Sequence, residues 1–85
     1  FQIPYQLEQA AEVNLSIFNA EGRELQHYHP GLEPAGAHTW TWDATDAQGN
    51  RLSSGLYFVR LTLRDQNGNR AQLTDRLMII EAHKH

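Results

Sequence analysis

Apolar and polar residues alternate with a period of two along most of the chain. Val13, Leu15 and Ile17 alternate with Asn14 and Ser16, the pattern of a strand with one buried face. Glu21-Gly22 marks a turn. A weaker strand, Arg23 to His29, follows, with Leu25 on one face and Tyr28 on the other. Pro30-Gly31, Pro34 and Gly36 make residues 30–36 a loop. His38, Trp40 and Trp42 then alternate with Thr39, Thr41 and Asp43. The stretch from Asp43 to Asn50 reads as a second loop, with a short strand near Arg51-Leu52 beyond it. The clearest strand sets Tyr57, Val59, Leu61 and Leu63 against Phe58, Arg60, Thr62 and Arg64.

Asn67-Gly68 predicts a hairpin with a type I′ turn, which needs positive φ at both central residues. On the return strand Ala71, Leu73, Leu77 and Ile79 form an inward set that Asp75 interrupts. That interruption predicts a bulge or a change of facing near Thr74-Asp75. Leu77-Met78-Ile79-Ile80 is apolar on both faces, which predicts burial on both sides or docking by strand addition. A first strand, Gln2 to Leu7, carries Pro4 and so belongs at a sheet edge, where a missing N–H does no harm. No helical period, linker or internal repeat stands out. About seven strands at this spacing predict an all-β fold, a small antiparallel immunoglobulin-like β-sandwich. Tyr57 opens the strongest strand, as the tyrosine-corner residue does in such folds.

Composition narrows the function. The chain has 85 residues, 40% of them hydrophobic, with net charge −3 and no cysteine. It is one domain, residues 1–81, with a polar tail at 82–85. Mild acidity argues against nucleic acid, because a phosphate backbone needs a basic face. No apolar run approaches the roughly 18–20 residues of a membrane-spanning helix. Without cysteine there is no thiol catalysis, disulfide or Cys-zinc site. A domain this small has a thin stability margin, so a deep enzyme pocket is not expected. The expectation is a monomeric binding, spacer or interaction module, without catalysis or cofactor. Phe1 is not an initiator Met, so a fragment or processed product is expected, with any export signal upstream.

The candidate chemistry is sparse. Ser53-Ser54-Gly55 lies in a turn and lacks the G-x-S-x-G elbow of a nucleophile. His27-x-His29 projects two imidazoles from one strand face and could chelate Zn²⁺ or Cu²⁺ given a third ligand; His83-x-His85 repeats the spacing in the tail. The Asp43–Asn50 and Asp65–Asn69 loops offer oxygen ligands for calcium but miss the EF-hand spacing. Local Asx-turns are the alternative use of those side chains. Trp40 and Trp42 share a strand face. Exposed, they would stack on sugar rings; buried, they anchor the core. Solvent-facing Thr39, Thr41 and Asp43 place them in the core.

Several stretches together resemble one superfamily. They are Val13-Asn-Leu-Ser-Ile-Phe-Asn-Ala-Glu-Gly22, Ala35-Gly36-Ala-His38, Trp42-Asp43, Asp46-Ala-Gln-Gly49-Asn50 and Ser54-Gly55-Leu-Tyr57. They resemble the immunoglobulin-like domain shared by the C-terminal region of the flagellar hook-cap protein and the sorting domains of type IX secretion cargo. The resemblance covers most of residues 3–80. It makes Gly36, Trp40, Trp42, Asp43, Gly55 and Tyr57 fold-determining. On the sorting branch, taken first, it implies a non-catalytic C-terminal module of a secreted bacterial protein. Such a module is exported through the periplasm and attached at the cell surface, beside upstream domains such as a glycoside hydrolase or an adhesin. Its partner would be the secretion machinery or a cell-surface component, and the recognition residues would be Arg76, Leu77, Met78, Ile79 and Ile80. The alternatives are a structural spacer or flagellar-cap-like assembly module, and an accessory carbohydrate-binding module.

Overall fold

The alternating segments fold as six antiparallel strands in a computed structural model that describes residues 1–80. They are β1 (Gln2–Leu7), β2 (Ala11–Asn19), β3 (Glu24–Glu33), β4 (Gly36–Thr41), β5 (Gly55–Asp65) and β6 (Arg70–Ile79). A four-stranded sheet in the order β3-β2-β5-β6 faces a two-stranded sheet, β1-β4. The expected seventh strand near Arg51-Leu52 is a single bridge between Thr45 and Arg51. Glu81 and the tail 82–85, with His83-x-His85, lie outside the described residues.

The core lies between the sheets. β2 is central, and its inward residues Val13, Leu15 and Ile17 have exposures of 0%, 1% and 0%. Trp40, Trp42, Ile3, Leu7, Tyr57, Leu61 and Ile79 close around them. Each fully buried aliphatic side chain of this kind contributes about 1.5–3 kcal/mol.

β1 is an edge strand. Phe1 and Trp42 exchange both main-chain hydrogen bonds, Phe1 N to Trp42 O at 2.6 Å and Trp42 N to Phe1 O at 2.7 Å. Antiparallel pairs alternate between bonded and non-bonded. Ile3, Tyr5 and Leu7 therefore bond β4, while Gln2, Pro4 and Gln6 turn their backbone outward. Pro4 lacks its N–H on the side where no strand would receive it.

Six local expectations are corrected. Residues 30–36 are not a loop, because β3 runs on to Glu33 and leaves Pro34-Ala35 as the link. Gly36 opens β4 at φ 126°, a conformation that suits glycine. The ladder between β5 and β6 runs without a bulge at Asp75, which sits opposite Val59. The register shifts fall between β2 and β3 instead, one of them at Ile17/Phe18. That shift inserts Leu25 as an extra residue, so Leu25 and Tyr28 both reach the inner face: Leu25 packs on the core and Tyr28 stacks on Trp40.

The Asn67-Gly68 turn is not type I′. Among the described non-glycine residues Ala44 alone has positive φ. Gly68 N–H bonds Asp65 C=O and Asp65 N–H bonds Asn69 C=O, which makes a three-residue loop with glycine in the left-handed position. The same turn recurs at Asn19–Arg23 and Asp46–Asn50, with Gly22 and Gly49 at φ 87°. A five-residue repeat, Asn/Asp-x-x-Gly-x, is therefore present where none was expected. Lastly, β6 is not buried on both sides. It is an outer strand of the sheet, with Met78 57% exposed and Ile80, just beyond its end, 79% exposed.

Candidate functional site

Three places gather polar chemistry. In each repeated turn the first side chain accepts two main-chain N–H groups. Asn19 Oδ1 takes Glu21 and Arg23, Asp46 Oδ1 takes Gln48 and Asn50, and Asp65 Oδ1 takes Asn67 and Asn69, all at 2.8–3.0 Å. Partial desolvation pushes the Asp65 carboxyl up, but the donors from Asn69, Asn67 and Gly68 outweigh it and hold it below the ordinary carboxylate range. The loop carboxylates considered for calcium are thus engaged as Asx-turns. Asp43 likewise accepts the Thr45 hydroxyl. Among the described residues no three His, Cys, Asp or Glu side chains are arranged to hold a metal ion.

The second place is the crossover between the sheets. Tyr5 O–H donates to Glu33, and His38 stacks on the Tyr5 ring with centroids 5.4 Å apart. His38 Nε2 meets Pro34 C=O at 2.7 Å, which requires the proton on that nitrogen, and Nδ1 faces Glu33 at 3.6 Å. Burial raises the Tyr5 phenol above the ordinary tyrosine range, helped by its bond to Glu33 and that carboxylate's charge. The network ties β1, β3 and β4 together at the short Pro34-Ala35 link. Nothing local in the sequence marks Tyr5 and Glu33, 28 positions apart, as partners.

The third place is aromatic. Trp40 and Trp42 pack 5.8 Å apart, with exposures of 8% and 3%. Trp42 Nε1 donates to Thr45 C=O at 3.0 Å. Tyr28 covers Trp40, and the Phe1 ring lies 6.2 Å from Trp42. No flat indole face is left for a sugar ring. Tyr57 O–H donates to Ser53 C=O, four residues upstream, which is the tyrosine-corner bond. Gly55 starts β5 opposite Ile79. His27 and His29 stack on the outer face of β3, with His27 Nε2 against Asn14 Oδ1 and His29 Nδ1 against Val13 C=O.

Arg76 to Ile80 do not share one pocket: Arg76 and Leu77 line one cleft, and Ile79 and Ile80 line another beside Phe1 and Leu52. Arg76, Met78 and Ile80 are exposed, Leu77 is half-buried and Ile79 is buried. The sandwich is open on this side, since β1 lies over β5 and stops short of β6. A cleft of about 350 Å³ runs between them, lined by Ile3, Tyr5, Leu61, Leu73, Asp75 and Leu77 among others. Among the described residues no helix is long and apolar enough to cross a membrane.

Known proteins match this fold. The profile of the FlgD Ig-like domain matches residues 1–68. The crystal structure of FlgD from P. aeruginosa superposes with a TM-score of 0.77 at 22% identity, over 92% of this chain and 59% of that one. FlgD from Xanthomonas campestris, whose structure is described for its insights into hook capping in flagellar assembly, superposes with a TM-score of 0.72 at 29% identity, over 88% of this chain and 54% of that one. The chain thus spans little more than half the length of these solved proteins. No curated protein sequence matches significantly.

Proposed function

The chain belongs to the FlgD Ig-like domain family, and from that premise we propose that it is a non-catalytic structural module of a flagellar hook-cap-type protein. In this reading it is exported and works in assembly with hook components. The observation that carries it is the family match over residues 1–68 joined to a backbone that follows FlgD across 88–92% of the chain. The site geometry agrees. The first side chains of the repeated turns, Asn19, Asp46 and Asp65, are engaged on the domain's own backbone, as suits a structural module. The expectation of a secretion-sorting module recognised through Arg76 to Ile80 draws no support from these matches.

The test is a domain exchange. Residues 1–80 replace the matching domain of the X. campestris protein, and hook formation and motility are scored in a strain lacking that protein. The expected result is restored hook assembly, lost again when Leu15→Asp unfolds the inserted domain. A chimera that is folded and exported but leaves cells without hooks would overturn the assembly role.

A further inference from the structure

Asp75 is out of place by its neighbours. The pairs Leu61–Leu73, Val59–Asp75 and Tyr57–Leu77 stand directly opposite one another on β5 and β6. Directly opposed residues share a face, so Asp75 turns toward the core side, between Leu73 and Leu77. Yet it is exposed, because the covering sheet does not extend over β6.

The ladder also fixes which backbone groups of β6 face outward. Asp65 N–H bonds Asn69 C=O at 2.9 Å, so that pair is a bonded one. Counting along the unbroken register, Ala71, Leu73, Asp75, Leu77 and Ile79 bond β5. Arg70, Gln72, Thr74, Arg76 and Met78 direct N–H and C=O to the outer edge. One of those outward groups is occupied, since Arg76 N–H donates to Asp75 Oδ1 at 2.8 Å.

From these two observations we infer that Asp75 is an edge guard, which keeps β6 from adding a strand from a second copy of this chain. A docked strand must take the Arg76 N–H from the carboxylate. It must also cover the inward face and strip water from the carboxylate, which is costly. Self-pairing has a further penalty. A two-fold antiparallel pair sets one residue against its own copy on the axis. Centring on Asp75 or on Arg76 opposes like charges, and centring on Thr74 sets Asp75 against Leu73. Without the guard, β6 is a long outer strand with Leu73 64% and Met78 57% exposed, which is a template for edge-to-edge association. Other edges carry related devices. Pro4 removes an outward N–H from β1, and the Gln26 side chain accepts the His27 N–H on β3.

The experiment is sedimentation velocity of the full chain over a concentration series, beside Asp75→Ala, Asp75→Thr and the double variant Asp75→Ala, Thr74→Pro. Circular dichroism checks that each is folded. The unaltered chain is expected to sediment as a monomer. Asp75→Ala and Asp75→Thr are expected to double in mass as concentration rises. Thr74→Pro removes an outward N–H without touching the bonds to β5, so it is expected to return the Asp75→Ala chain to monomer. The inference is overturned if the unaltered chain already pairs, if the folded single variants stay monomeric at the same concentrations, or if Thr74→Pro leaves the association unchanged.

Discussion

Three leucines stand in one row across the larger sheet: Leu15 on β2, Leu61 on β5 and Leu73 on β6. Each occupies the inward position of an alternating strand. Their exposures are 1%, 8% and 64%. The next row repeats the gradient more sharply, with Ile17 fully buried, Val59 half-buried and Asp75 exposed. Alternation sets which face a side chain takes. What lies across from that face sets whether it is buried. The cover is β1-β4, and it ends over β5. A charge that would wreck the middle of the row is tolerated at its end, where it protects the edge.

The comparison breaks most sharply at its buried end. Leu15→Ala is expected to cost about 2–5 kcal/mol, from lost transfer and a residual cavity. For a domain whose whole stability is of order 5–15 kcal/mol, that is a large loss, read as a lower denaturant midpoint. The same substitution at Leu73 is expected to cost about 0.5 kcal/mol or less, as at other surface sites. Equal losses at the two positions would mean that the cover extends over β6.

The smallest effect concerns the end of the β5–β6 hairpin. Asp65 has a depressed pKa in the folded chain, so its stabilising contribution is present above the unfolded carboxylate value, about 3.9. That contribution is lost as pH falls through the folded value. Asp65→Ala is expected to lower the melting temperature modestly at neutral pH. The difference from the unaltered chain should shrink on acidification. A difference that stays constant to low pH would mean that the charge plays no part in holding the turn.

Much of this molecule was readable from residues in order. Period-two alternation located the strands, and Pro4 marked an edge. The Trp42-Asp43 and Ser54-Gly55-Leu-Tyr57 stretches pointed to an immunoglobulin-like superfamily that includes the hook-cap domain. What escaped has a common physical cause, because strand order and sheet cover are not local properties. By pattern alone a charge at an inward position, as at Asp75, predicts a fault in the strand. Asp75 becomes intelligible once β6 is known to be outermost. Strict alternation puts Leu25 and Tyr28 on opposite faces, but a bulge resets alternation and leaves no mark in the period. The Tyr5–Glu33–His38 network joins three strands that adjoin only when the chain crosses between the sheets. The turns carry a local mark: Asn/Asp-x-x-Gly-x occurs where each of the three turns forms.

The gradient and the edge guard both rest on β6 being the free edge of the larger sheet, with alternate backbone groups exposed. Native-state amide hydrogen exchange reads this residue by residue. The account predicts protection at Ala71, Leu73, Asp75 and Leu77, and fast exchange at Gln72, Thr74 and Met78, with Arg76 slowed relative to those three by its bond to Asp75. Uniform protection along β6 would contradict it, since it would mean that a second strand already holds the outer edge.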